Sequence, residues 1–411
     1  MTAPADIYQV ASGQPIYGGR AAPVVAAGFD AEPSYIDTSS GAPPWTANLI
    51  QVFEVHGSGG ADFGTGRRYT APVSGLLALP QANTATAISV QDYDFHDHFG
   101  FSQCYSYNPS MLPGGKYMRL RPIDVWGNKA DGTVQESAHC GFKLADGFVH
   151  LIAERRMDAL LDWADKTFTQ FDQTRRIITG GSMGGWGSAS YGVRRYNRFC
   201  AVYPDRPRWK HNADYTALAV PTWGQGFVST PYASAPQLAP EDGGGSFADH
   251  LNMIAYVSNP ANKVRWIGWC LGRQDGFANF QDSIDMVAAL RANKRGFAFA
   301  WNNGTHSTGS ILSQITASYP FGTFQFGKGY PLFTEHSLDQ DPNVDLVGMI
   351  NGNLAFRNVV ETATGWSCEV TSIAAACTVK VEPISDVFTK TVAKQLVSIP
   401  AANTWVLVQF S

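Results

Sequence analysis

The residues Gly180-Gly181-Ser182-Met183-Gly184-Gly185 set a serine in a G-x-S-x-G frame. The frame gains weight from its flanks. Arg175-Arg176-Ile177-Ile178-Thr179 reads as a short strand, and the chain after Gly185 runs into a helix. A serine at such a junction stands on a strained turn that lifts its hydroxyl above a sheet, and crowding there demands small neighbours. The turn also opens a helix, so the amide of Met183 points to where an oxyanion would form. A neutral hydroxyl is a poor nucleophile, so a base must take its proton and an acid must orient that base. Both are expected later in the chain, at the C-terminal ends of later strands, in the order acid then histidine. Asp275 follows the apolar run Val264 to Cys270, and His306 follows Gly296 to Trp301. Asp205, behind Pro204 at the end of the preceding run, is the rival acid. Asp282 and Asp285 read as the solvated face of a helix.

A second oxyanion donor is harder to find. His56-Gly57-Ser58-Gly59-Gly60 follows the run Leu49 to Val55 as a Gly-rich loop at a strand end, and Tyr93 stands at another strand end and could supply a hydroxyl or amide. Trp209 and Trp223, with Tyr215, Phe227 and Tyr232, lie in a Pro- and Gly-rich stretch; they line a substrate cleft or form that stretch's own core. Trp186 is expected to pack beneath the serine. Asp92, Asp94, His96 and His98 alternate as metal ligands on a strand would, but read more simply as a polar loop. No metal and no organic cofactor is expected.

The elements that must position these groups follow from periodicity. Residues 1 to about 140 are rich in Gly, Pro, Ser and Thr, with short alternating runs and no clear helix. Apolar residues from Val149 through Trp163 recur at helical spacing. Strands are expected at 175–179, 199–203, 264–270 and 296–301, with a helix over 280–292. Strand–helix–strand alternation means a mainly parallel, doubly wound sheet. Residues 205–249 form a lid or insertion. After about Glu335 only strands are expected (346–350, 366–370, 377–381 and 404–410), as a small β-sandwich. The expected division is therefore a catalytic domain over 1–335 and an all-β accessory domain over 336–411.

Composition narrows the setting. Charged residues make up only 16% of the chain, against about a quarter in ordinary domains, and 30 basic against 34 acidic residues give a net charge of -4. No basic stripe suggests nucleic acid, and no apolar run approaches the ~20 residues of a membrane span. The first ten residues carry no basic residue and no apolar core, so no signal peptide is expected. The weakly charged, aromatic-rich composition suits an enzyme acting outside the cell, secreted or carried on a virus particle. Six cysteines are too sparse for a scaffold. Cys368 and Cys377 flank an apparent hairpin and could pair, while Cys200 and Cys270 read as buried thiols.

Gly180 to Gly185, Asp162-Trp163-Ala164, Arg175-Arg176-Ile177, Gly272-x-x-Asp275 and Gly304-x-His306 resemble the α/β-hydrolase superfamily. The likeness covers about residues 144 to 310. It is greatest to secreted esterases and polyhydroxyalkanoate-depolymerase-like members, and it extends to the catalytic domain of prolyl oligopeptidases. The resemblance implies an α/β-hydrolase fold, an acyl-enzyme on Ser182 and a second oxyanion donor in a loop after an earlier strand, for which the Gly57 amide of His56-Gly57-Ser58-Gly59-Gly60 is the candidate; a polymeric or small ester is the expected substrate. The residue after Ser182 is Met where those peptidases usually carry an aromatic, and their β-propeller is absent; both favour an esterase. Expectations therefore run from an ester on a carbohydrate polymer, to a polyester, to a peptide. A non-catalytic surface or virion binding protein with the same fold is the reading of another class.

Overall fold

A computed structural model describes residues 172–210 and 247–411, the helical residues Glu154, Asp158, Leu161 and Asp165, and, by their backbone alone, the strands of the first 150 residues. The chain divides into two compact units, residues 1–173 with 211–251, and residues 174–210 with 252–411.

In the first unit β1 (Val24–Ala26), β2 (Phe29–Ile36), β3 (Ile50–Gly57), β4 (Val73–Pro80), β5 (Val90–Phe95) and β6 (Tyr117–Pro122) run in the order β1-β2-β3-β4-β6-β5. Only β5 and β6 pair in parallel. Four short strands follow, β7 (Trp126–Asn128), β8 (Val134–Glu136), β9 (Phe142–Lys143) and β10 (Val149–His150). The helix expected from Val149 thus begins later: residues 149–150 are strand, and Glu154 to Asp165 recur at helical spacing with Glu154 and Leu161 buried.

The second unit is built on the parallel strands β11 (Arg176–Gly181), β12 (Ala201–Asp205), β13 (Trp266–Gly272) and β14 (Phe297–Asn302), in that order. β13 reads WIGWCLG and β14 reads FAFAWN, near-continuous apolar runs that are buried along almost their whole length. A strand apolar on both sides belongs in a sheet covered on both faces. Trp266 and Trp269 are three residues apart on β13 and so point to opposite faces. Trp266 packs with Tyr203, Tyr319 and Phe324, and Trp269 with Trp209 and Phe299. The helices are α1 (Met183–Arg194), α2 (Met253–Ser258), α3 (Phe280–Ala292) and α4 (Leu312–Ser318).

Two expectations change here. Pro204 was expected to end its strand, yet β12 runs through it to Asp205, with Gly180 opposite Pro204 on β11. Its pairing with β13 lapses at Tyr203 and Pro204 and resumes at Asp205 opposite Cys270, so the missing proline N–H falls in a gap. Asp282, expected on a solvated face, is 1% exposed and ion-paired with Lys210 Nζ at 3.0 Å. Burial pushes its carboxyl above the usual range, against the pull of Lys210.

Seven more strands complete the chain: β15 (Tyr330–Thr334), β16 (Gly348–Ile350), β17 (Leu354–Glu361), β18 (Trp366–Ser372), β19 (Cys377–Ile384), β20 (Gln395–Ile399) and β21 (Val406–Phe410). Two antiparallel sheets form, β15-β19-β20 and β17-β18-β21. β16 instead joins the parallel sheet, antiparallel to β14, with Trp301 opposite Gly348. Cys368 and Cys377 are free thiols, not a disulfide: Cys368 sits opposite Val408 in one sheet and Cys377 opposite Ile399 in the other. Cys200 and Cys270 are buried, and burial raises the Cys200 thiol to about 12. Among the described residues, no helix is long and apolar enough to cross a membrane, and no group of His, Cys, Asp and Glu is arranged to hold a metal ion.

Candidate active site

β11 ends at Gly181 and α1 begins at Met183, so Ser182 alone makes the turn, with φ 55° and ψ -117°. That is left-handed backbone which a side chain occupies at a cost of about 1–3 kcal/mol. The turn is held by its surroundings. Ser182 N donates to the carbonyl of Asp205 on β12 (3.0 Å), and Trp186 N closes the first helical bond to Ser182 O (3.0 Å). Gly185 passes so near β12 that a Cβ there would lie 2.1 Å from the Asp205 carbonyl oxygen. The small residue is therefore a steric requirement. Trp186, in the first turn of α1, is buried at 2% exposure.

The structure brings together the three side chains picked out by strand-end position. Ser182 Oγ lies 2.5 Å from His306 Nε2, and His306 Nδ1 lies 2.7 Å from Asp275 Oδ2. Asp275 Oδ1 accepts from the amides of Phe277 (2.8 Å) and Ala278 (2.9 Å), so both carboxylate oxygens are engaged. The Asp275 side chain is fully covered while the imidazole is 19% exposed. Burial disfavours charge on Asp275, but the hydrogen bonds from His306 and the two amides outweigh it and hold the carboxyl below its ordinary range.

The loops that carry Asp275 and His306 are bonded to each other. Arg273 N donates to Asn302 O (2.8 Å) and Gln274 N to Gly304 O (2.9 Å). Gly272 lies against this seam, where a Cβ would sit 2.3 Å from Gly304 O. Within the histidine loop, Gly304 N donates to Asn302 Oδ1 (2.9 Å) and Thr305 N to Thr308 Oγ1 (3.0 Å). Phe277 stands edge-on to the imidazole, ring centroids 4.9 Å apart, and is 59% exposed.

A comparison with models of known protein families found no match, and neither did a comparison with curated proteins. Solved structures are similar at low sequence identity. An S-formylglutathione hydrolase from Agrobacterium tumefaciens is 12% identical, over 66% of this chain and 89% of that one, with a TM-score of 0.42. A ferulic acid esterase is 15% identical, over 66% and 97%, with a TM-score of 0.42. An acylaminoacyl peptidase from Pyrococcus horikoshii is 13% identical, over 67% and 48%, with a TM-score of 0.44.

The remaining site expectations fare differently. The backbone of Met183 opens α1, and its side chain is 8% exposed. Gly57 ends β3, and the loop after it, residues 58–60, lies outside the described residues. Asp92, Tyr93 and Asp94 fall on β5, described by backbone alone, and His96, His98 and Trp223 lie outside the described residues. Trp209 is corrected: it is 0% exposed, packs edge-on to Trp269 at 5.3 Å and donates from Nε1 to Ser283 Oγ (3.2 Å). A ring with no accessible face cannot stack on a substrate. Asp205, the rival acid, is occupied elsewhere. Its carboxylate accepts from Arg206 Nε and Nη2 (3.2 Å each), Ser310 Oγ (2.6 Å) and Cys270 Sγ (3.0 Å). Nothing in the sequence singled out Arg206 or Ser310, although the choice of Asp205 pointed to the right strand end.

Proposed function

We propose that the chain is a serine esterase that cleaves carboxylic esters through an acyl-enzyme on Ser182. The reading rests on the hydrogen-bonded line from Ser182 Oγ through His306 to Asp275. Ser182 Oγ attacks the ester carbonyl as its proton passes to His306 Nε2, and the imidazolium then protonates the departing alkoxide. Asp275 holds the tautomer that leaves Nε2 free to accept and steadies the imidazolium once formed. A water, deprotonated by the same nitrogen, attacks the acyl-enzyme and releases the acid. The Met183 amide, at the head of α1, is the donor to the tetrahedral oxyanion.

The substrate we infer is an ester borne on a carbohydrate polymer. It is supported by a chain that is 12% aromatic and only 16% charged, and by the antiparallel C-terminal sheets, an architecture often used to hold polymers. Such work belongs outside the cell, in a secreted or virion-carried enzyme. Hydrolysis of an aliphatic polyester is the second reading, favoured by the exposed Phe277 ring beside His306. Acetate release from an acetylated polysaccharide, run beside clearing of a polyester film and turnover of p-nitrophenyl acetate, tests the proposal. Acetate release without film clearing is expected. Film clearing without acetate release selects the second reading, and no turnover of any of the three overturns the esterase reading.

A further inference from the structure

Resting on that reading, we propose that Asp205 and Arg206 form a clamp that positions His306 for catalysis, with Arg206 as the positioning residue. The pair spans the two halves of the site. The Asp205 backbone carbonyl accepts the amide of Ser182, and its carboxylate accepts the hydroxyl of Ser310, four residues beyond His306. Arg206 Nε and Nη2 grip the same carboxylate as a two-pronged fork, while Nη1 donates to the carbonyl oxygen of His306 itself (2.7 Å). The histidine loop is therefore held at residue 306 by the guanidinium and at residue 310 by the carboxylate. Both tethers end on the residue that fixes the nucleophile's turn.

Three further features mark the node as built. Arg206 has φ 55°, a left-handed backbone that a non-glycine residue keeps only when its surroundings enforce it. Its own amide donates to Cys270 O (2.9 Å). Beneath it, Cys270 Sγ donates to Asp205 and accepts from Ile311 N (3.3 Å), so the lower end of the loop is tied in as well. A planar guanidinium suits the task because it can bind a carboxylate in two places and still hold a third acceptor, which an ammonium cannot reproduce in one geometry. The position that tempts assignment as the catalytic acid thus serves the base through the backbone.

The test is Arg206→Ala, compared with Arg206→Lys, Ser310→Ala and the parent, by p-nitrophenyl acetate kinetics and by the rate of fluorophosphonate labelling. A displaced base costs rate on the scale of 10- to 100-fold, about that expected for a 1 Å misplacement. Arg206→Ala should lower kcat and the labelling rate by a similar factor with KM within about twofold, and Arg206→Lys and added guanidinium should each restore part of it. In a His306→Ala background the same change should cost nothing further, because Arg206 acts only through His306. Parent-like kcat and labelling in Arg206→Ala, or an equal additional loss in the His306→Ala background, would overturn the clamp. If Arg206→Ala does not fold, Ser310→Ala decides: a several-fold fall in labelling supports the clamp, and parent-like labelling overturns it. A parent protein that does not label at Ser182 would instead remove the esterase reading.

Discussion

At the scale of single residues, the choice between two aspartates decides how the site works. Asp205 ends β12 and Asp275 lies just beyond the end of its neighbour β13; strand-end position favours Asp275 and leaves Asp205 as its rival. Hydrogen bonding separates them: Asp275 Oδ2 meets the imidazole, and Asp205 is taken up by Arg206, Ser310 and Cys270. What chain order could supply was the strand end, not the rotamer. Asp275→Asn, which presents the imidazole with a wrong tautomer partner, should lower kcat by about 10^3- to 10^4-fold. It should also alter stability in a pH-dependent way. Because the Asp275 carboxyl is held below its ordinary range, its ionised form stabilises the fold above about pH 3.9, and that contribution is lost as pH falls through the lower folded value. Thermal melts of parent and Asp275→Asn should therefore differ most near neutrality and converge in acid. A gap that widens on acidification contradicts the assigned hydrogen bonds.

At the scale of elements, strongly patterned segments were legible and short or tertiary-dependent ones were not. The helix Phe280–Ala292 matches its sequence expectation at both ends, with Asn279 capping it through a bond to Gln281 N. The seven-residue helix Leu312–Ser318 offers too little periodicity to read. β17 and β20 escaped notice because much of each is exposed, so neither is an apolar run. β16 looked like a sandwich strand, and only its pairing with β14 assigns it to the parallel sheet, a choice its three residues do not encode. Trp209 shows the same limit: aromatic residues in a loop-like stretch satisfy both a cleft and a core. Trp209→Ala should destabilise the protein by about 3–5 kcal/mol, the usual cost of emptying a large aromatic site. The surviving folded fraction should keep its KM. An unchanged melting temperature with a raised KM would return Trp209 to the substrate.

At the scale of the whole molecule, the C-terminal strands are part of the same packing as the parallel sheet in the second unit. Asn351 Nδ2 donates to Phe297 O (3.2 Å), Tyr319 Oη to Asn351 O (2.9 Å) and Trp301 Nε1 to Asp345 O (2.9 Å). Arg273, two residues before Asp275, reaches the carbonyls of Pro342 and Asp345. β15 precedes residue 335 and takes β19 as its partner from beyond it. A chain ended at residue 335 would lose β16 from the edge of β14 and leave β15 unpaired. It should be recovered unfolded or aggregated, judged by far- and near-ultraviolet circular dichroism. A soluble, active 1–335 fragment would show that the last 76 residues (411 minus 335) are dispensable to the catalytic core.

The most direct measurement is reaction of the full chain with a fluorophosphonate, followed by peptide mapping of the adduct by mass spectrometry. One adduct per chain, on Ser182, absent from Ser182→Ala and strongly slowed in His306→Ala, is the predicted result. No adduct, or equal labelling of the Ser182→Ala protein, would contradict the account.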